Sequence, residues 1–156
     1  MGRRHLSRAA VVALALLLPG APALASASPT WQLVARGTAR GATDQLTGYV
    51  ALDRPSATAW AARTGKSGAA ALRGTDFSRN AIVAVFGPFG CKDGRIDVTS
   101  LTQRGSTLVV RLRERMPALA TVECMAIFET FRLLTVPKAG LHKPYPMHAT
   151  VALARA

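Results

Sequence analysis

The chain contains 156 residues with 20 basic and 8 acidic side chains, which gives a formal net charge of +12. This length provides for one hydrophobic core and excludes two independently folded domains. The charge predicts a strongly basic surface on the folded protein.

The first 27 residues are organised like a secretory signal peptide. Three arginines near the start precede an apolar stretch of ten residues, 9–18, which a Pro-Gly pair ends. Two small-residue cleavage motifs follow, one ending at Ala25 and the other at Ala27. Because a membrane-spanning helix needs about 20 apolar residues, the short stretch indicates export and not anchorage. We therefore expect a cleaved signal peptide at 1–27 and an exported domain at 28–156, with both cleavage positions open.

The exported domain stays basic after the signal peptide is removed. The signal peptide takes three arginines from the 20 basic residues, and the remaining 17 exceed the 8 acidic ones to give a net charge of +9. No second long apolar run follows, so the sequence predicts a secreted or extracytoplasmic protein without a stable membrane span. Export also separates the chain from nucleic acid, which leaves exported proteins and anionic envelope polymers as expected partners.

Two short strands and one helix are predicted in the first half of the exported domain. The strands cover residues 31–36 and 49–52. The helix opens at Pro55, which suits a first helical turn, carries Trp60 on its inner side, runs through Ala62 and is closed by Gly65.

The second half is predicted to consist mainly of strands. The stretch 65–74 forms a linker into a strand at 80–86, whose nearly continuous apolar side chains indicate burial on both faces. Alternating arms at 95–101 and 107–113 form a hairpin with a turn at Gly105. Two further strands are predicted at 128–136 and 147–153. These elements predict an α+β fold, a single small domain with a mainly antiparallel β-sheet and one short helix packed on a face.

The two cysteines of the chain, Cys91 and Cys124, both fall within the exported domain. Oxidising conditions outside the cytoplasm let a disulfide persist, so one intramolecular bridge is predicted. It would close a loop of roughly 34 residues, for which the chain-entropy treatment gives about 4 kcal/mol of stabilisation. The alternative is a metal or redox pair, but there is no Cys-x-x-Cys spacing and zinc would need His142 and His148 as further ligands.

Segments that resemble catalytic or cofactor-binding motifs lack residues that those motifs require. The segment 64–67, Thr-Gly-Lys-Ser, is similar to the end of a phosphate-binding loop, but Trp60 occupies the position of its first glycine and a helix precedes it. Ser78 beside Asp76 lacks the Gly-x-Ser-x-Gly elbow of a hydrolase. The carboxylates are scattered singly along the chain. We therefore expect no catalytic residues, no metal, no cofactor and no enzymatic activity.

A basic stripe is predicted along the hairpin, because alternate residues of a strand project on the same face. Its members are Arg95, Arg104, Arg111, Arg113 and Arg115. Such charges often protect an exposed strand from pairing with other chains. The functional alternative is docking to an anionic surface, either an envelope polymer or an acidic protein.

A series of short features runs from Thr75 to Lys138: a polar entry into the predicted central strand, a glycine-containing loop, the hairpin and a final Leu-Thr-Val-Pro-Lys. They occupy residues 75–80, 82–86, 87–90, 96–112, Pro117 and 134–138. Together they resemble the PrcB C-terminal-domain family, bacterial exported proteins described as stabilising subunits of a surface protease complex. The resemblance implies an α+β fold and a non-catalytic role beside another exported protein.

The loop after the predicted central strand is the candidate partner contact, because its glycines allow close backbone approach and Phe89 offers an apolar side chain. The residues are Gly87, Phe89, Gly90 and Lys92. Cys91 stands with Lys92 where the family continues with a glycine and an aromatic residue, so the identity of the partner does not transfer. We expect a secreted, non-catalytic interaction module that binds or stabilises an exported protein, with a protease as a candidate. The alternative is a basic protein that binds envelope polyanions.

Overall fold

The computed structural model describes residues 26–41, 45–89, 95–115 and 128–155. They contain eight strands and one long helical region, α1, at Arg54–Gly74. The strands in chain order are β1 (Ser26–Ala27), β2 (Gln32–Thr38), β3 (Thr47–Ala51), β4 (Asn80–Phe89), β5 (Arg95–Arg104), β6 (Thr107–Arg115), β7 (Phe128–Pro137) and β8 (His148–Arg155). Cys91 and Cys124, and with them the predicted disulfide, lie outside the described residues.

The eight strands form one sheet in the order β1-β5-β6-β8-β3-β4-β7-β2. Neighbouring strands are antiparallel except for β6 and β8, which run parallel. The predicted α+β fold, a small domain with a mainly antiparallel sheet and a helical region on one face, is confirmed. The parallel pairing of β6 with β8 is not predicted from the sequence. Alternation of side chains along a strand indicates which residues share a face, but not which strand lies beside it.

The sheet curls until its two edge strands approach each other. β1 and β2 lie at opposite ends of the strand order, yet only residues 28–31 connect them. A fully extended connection of that length spans at most about 17 Å. Near the other end of β5, the Nε atom of Arg132 on β7 donates a hydrogen bond of 3.3 Å to the backbone oxygen of Ile96. The inner face of the sheet is therefore enclosed.

The strand β1 coincides with the residues between the two expected signal-peptide cleavage positions. It pairs with β5 at Gln103 and Arg104. Cleavage after Ala25 would keep this strand in the exported protein, whereas cleavage after Ala27 would remove it.

Two hydrophobic cores lie on opposite faces of the sheet. The inner core is enclosed by the curl and receives side chains from β4 to β8, and the outer core lies between the sheet and α1. β4 contributes to both cores by alternation. Its inner side chains are Ala81, Val83 and Val85, and its outer ones are Ile82, Ala84 and Phe86. The predicted burial of this strand on both faces is confirmed.

The hairpin of β5 and β6 forms as predicted. Gly105 in its turn has a φ of +56°, a left-handed conformation that favours glycine. Leu108, Val110 and Leu112 on β6 face the inner core and are fully buried. The opposite side chains of β6 therefore project outward.

The helical region folds back on itself at Gly65, where φ is 62° and ψ is −161°. A straight helix of 21 residues would be about 30 Å long. However, the guanidinium of Arg54 in the first turn donates hydrogen bonds of 3.1 Å to the backbone oxygens of Arg73 and Thr75 at the far end. The predicted short helix ending at Gly65 thus corresponds to the first arm. The predicted linker at 65–74 is wrong, since most of that stretch forms a second helical arm packed against the first.

Two exposed carboxylates stabilise the ends of α1 and the following turn in their charged form. Hydrogen bonds from Ser56 lower the pKa of Asp53, and hydrogen bonds from Ser78 lower the pKa of Asp76, both from an ordinary value of 3.8. Because each folded-state pKa lies below the unfolded one, this stabilisation is present above about pH 4 and is lost as the pH falls through the folded-state pKa.

We therefore expect the thermal unfolding midpoint to fall as the pH drops below about 4. In the double variant Asp53→Asn, Asp76→Asn the fall should be shallower, because asparagine still caps a helix but does not titrate. Circular dichroism melts between neutral and acidic pH measure this. Parallel curves for the two proteins would contradict the prediction.

Candidate functional site

The described carboxylates outside the strand hairpin serve the fold. Glu129 forms an ion pair of 2.6 Å with Arg63, which joins β7 to α1. The guanidinium of Arg63 also lies 4.1 Å from the centre of the Phe86 ring, a cation–π contact. Asp53 and Asp76 accept hydrogen bonds from backbone N–H groups nearby. Each of these groups thus has a structural role.

Gln103 is buried and ties the loop after β7 to the hairpin. Its amide nitrogen donates hydrogen bonds of 2.8 Å to the Gly105 oxygen and 2.7 Å to the His142 oxygen. Its amide oxygen accepts one of 2.8 Å from the His142 nitrogen. The side chains of His142 and His148 are both exposed. Across the described ranges, no three His, Cys, Asp or Glu side chains are grouped so that they could hold a metal ion.

The predicted partner-binding loop begins later than the sequence suggests. Gly87 and Phe89 belong to β4, where they pair with Thr130 and Phe128 on β7. Gly87 is buried within the sheet, and its contact with a partner stays a prediction. Gly90 and Lys92 lie outside the described residues.

The outward side of β5, β6 and β8 carries exposed arginines, and we call it the arginine face. Arg111 and Arg113 project from β6, and Arg104 lies on the same side of β5, opposite Thr107. Arg95 and Arg115 are register partners at the other end of the hairpin, and their side chains are not among those described. The structure thus brings Arg104, Arg111 and Arg113 onto one open face.

The neighbours of Arg111 and Arg113 are small, which leaves both guanidinium groups room to move sideways. On β8 the register partners of these arginines are Ala152 and Ala154, both exposed. On β5 the partner of Arg111 is Ser100, whereas Arg113 faces Asp97. An acidic group therefore shares the face beside Arg113, and Arg111 has none opposite it on either neighbouring strand.

A long stretch of β8 has a free side. Of its 8 residues, only His148 and Ala149 pair with β3, so the six from Thr150 to Arg155 have no partner on the side away from β6 within the described part of the chain. We call this stretch the β8 edge. Local sequence pattern does not predict the β8 edge, because the edge depends on the parallel pairing of β6 with β8. The only local signal is the row of small outward side chains at 150, 152 and 154.

A groove lies where β3 and β8 separate. Its volume is about 410 Å³, and its lining comes from Leu46 to Tyr49 and from Ala149 to Val151. The hydroxyl oxygen of Thr47 is buried there and makes no hydrogen bond with the described residues. A Cβ atom on Gly48 would lie 2.8 Å from Val151, so glycine is what lets the two strands meet at the start of the groove. The groove continues into the β8 edge.

Two further observations bear on the class of protein. None of the helices in the described ranges has the length and apolar character needed to cross a membrane. Comparisons with protein-family models, with curated proteins and with solved structures gave no match to this chain.

Proposed function

We propose that the protein is a secreted, non-catalytic interaction module that binds another exported protein. The sequence of the first 27 residues supports export, and the resemblance to protease-complex subunits makes an exported protease the first partner to test. In this proposal the protein acts by holding or stabilising its partner and turns over no substrate.

The observation that carries the proposal is the open side of the sheet formed by β5, β6 and β8. Arg104, Arg111 and Arg113 are exposed there, and no described residue covers them. By contrast, Asp53, Asp76 and Glu129 are engaged in caps, turns and an ion pair that stabilise the fold. Surface that is open and charged suits recognition, whereas catalysis requires groups placed together in a cleft.

A second candidate function is binding of an anionic cell-envelope polymer. It is favoured by the same three arginines and by a net charge of +9, which is what remains of 20 basic and 8 acidic residues after loss of three signal-peptide arginines. Attachment of this kind is driven by charge and therefore weakens steeply as salt rises, whereas a packed protein interface does not.

Chemical crosslinking in producing cells, followed by mass spectrometry, tests the proposal. We expect one exported protein to crosslink repeatedly, and the complex re-formed from the two purified proteins should survive high salt during gel filtration. A matched sample of an unrelated exported protein of similar net charge, without known affinity for envelope polymer, controls for charge alone. Recovery of envelope polymer only, released by salt, would contradict the proposal and favour polyanion binding.

A further inference from the structure

The β8 edge has the geometry of a site for strand addition. Its free backbone groups extend over six residues, the 8 of β8 less the two that pair with β3, a length of roughly 20 Å. Strands with free N–H and C=O groups pair readily with an extended segment of another chain. Among the described strands, β2 and the part of β5 that β1 does not cover also have an unpaired side, but both strands carry a register shift that interrupts their ladders.

The inward side chains of the β8 edge determine which kind of residue an added strand should carry on its inner side. Val151 and Leu153 point toward the inner core and are only partly buried, as is Leu46 at the end of the groove. An added strand would place alternate side chains beside them. Apolar residues at those positions would extend the inner core and remove apolar surface from water.

The outward side of an added strand would lie within reach of the arginine face. Arg111 and Arg113 are separated from that strand only by Ala152 and Ala154. The distance is two strand spacings, roughly 10 Å, which an extended arginine and a glutamate side chain span together. The short side chains of Ala152 and Ala154 do not block contact between these arginines and an acidic side chain on the added strand. Acidic residues at the outward positions would therefore pair with these arginines, Arg111 above all, because Arg113 already faces Asp97.

We infer that the β8 edge binds an extended segment of the exported partner as an added strand, with apolar residues facing inward and acidic residues facing outward. This rests on the proposed function and names its interface. The partner contact then consists of backbone pairing to Thr150–Arg155, apolar contacts at the groove and ion pairs with Arg111 and Arg113.

A short synthetic peptide that alternates valine and glutamate is the probe. We expect it to bind the purified exported domain, and to slow hydrogen exchange at those amides of residues 150–155 that point away from β6. A peptide with lysine in place of glutamate should bind more weakly. Two further valine–glutamate peptides carry N-methyl groups on alternate amides, one at every valine and the other at every glutamate. One of the two should not bind, because its methyl groups occupy the edge that must pair with β8.

Three substitutions at exposed positions test the role of charge. Arg111→Gln should weaken binding of the acidic peptide roughly 2- to 5-fold, as expected for loss of one exposed ion pair. Arg40→Gln, which removes an exposed arginine after β2 and outside the arginine face, should leave binding unchanged. Ala152→Glu should reverse the preference toward the lysine peptide, since it places an acidic group beside the added strand. Unchanged melting temperatures would show that each variant is folded.

The inference is overturned if no alternating peptide binds, if N-methylation has no effect, or if protection appears at β2 or β5 instead of β8. It is also overturned if Arg40→Gln and Arg111→Gln weaken binding equally, which would indicate nonspecific attraction. The proposed function fails separately, when no exported protein crosslinks to the wild-type chain. A partner that is captured equally by wild type and Ala152→Glu would leave the proposed function standing and exclude the β8 edge.

Discussion

Replacing Trp60 with alanine is expected to lower the free energy of unfolding by about 3 to 5 kcal/mol. Trp60 is 8% exposed and belongs to the outer core with Ile82, Ala84 and Phe86. Its ring centre lies 6.0 Å from that of Tyr49. The neighbouring side chains on α1 are mainly alanine, so α1 itself offers little apolar volume to fill the cavity left by the indole.

Chemical denaturation of the purified exported domain measures this loss. Met147→Ala is a suitable control, because Met147 is also large and apolar but is 70% exposed, and its replacement should change stability by less than about 0.5 kcal/mol. Equal denaturation midpoints for wild type and Trp60→Ala would show that the indole does not anchor α1 to the sheet.

Two glycines of α1 should respond to alanine in opposite directions. A Cβ atom on Gly68 would lie 2.1 Å from the Cβ of Thr64, whereas a Cβ on Gly74 meets nothing within 4 Å. Alanine favours a helix over glycine by up to about 1 kcal/mol. At Gly68, overpacking costs about 1 to 3 kcal/mol, and so short a contact places it at the upper end. We expect Gly68→Ala to destabilise the protein by about 1 to 2 kcal/mol net and Gly74→Ala to stabilise it slightly.

The two glycine variants test whether α1 turns back between its two helical arms. Thr64 is buried and its hydroxyl donates a hydrogen bond of 3.1 Å to the Trp60 oxygen, so it cannot move aside freely. If α1 were straight at Gly65, residues four apart would be well separated and both alanines would stabilise. Melting temperatures of the two variants distinguish these arrangements. Stabilisation by Gly68→Ala would contradict the folded-back helical region.

Local sequence pattern predicts some residues of the candidate site and cannot predict others. The side of β6 that carries Arg111 and Arg113 follows from alternation with the buried Leu112, and the sequence predicts it. The alanines beside these arginines belong to a strand about forty positions later, and nothing local places them there. Gly87 was assigned to a loop because glycine often marks one, but its strand pairs with β7 for ten residues, through Phe89.

The sequence by itself predicted seven of the eight described strands, the buried faces of β4 and β6, and the turn at Gly105, because side-chain alternation and glycine at positive φ are properties of a few neighbouring residues. Only the tertiary structure decided that β6 pairs with β8 in parallel, that α1 folds back at Gly65, and that no other described strand pairs with one side of β8 beyond Ala149. Those features depend on which apolar faces meet across long separations in the chain. Many strand pairings satisfy the same alternation, and packing of the two cores selects one of them.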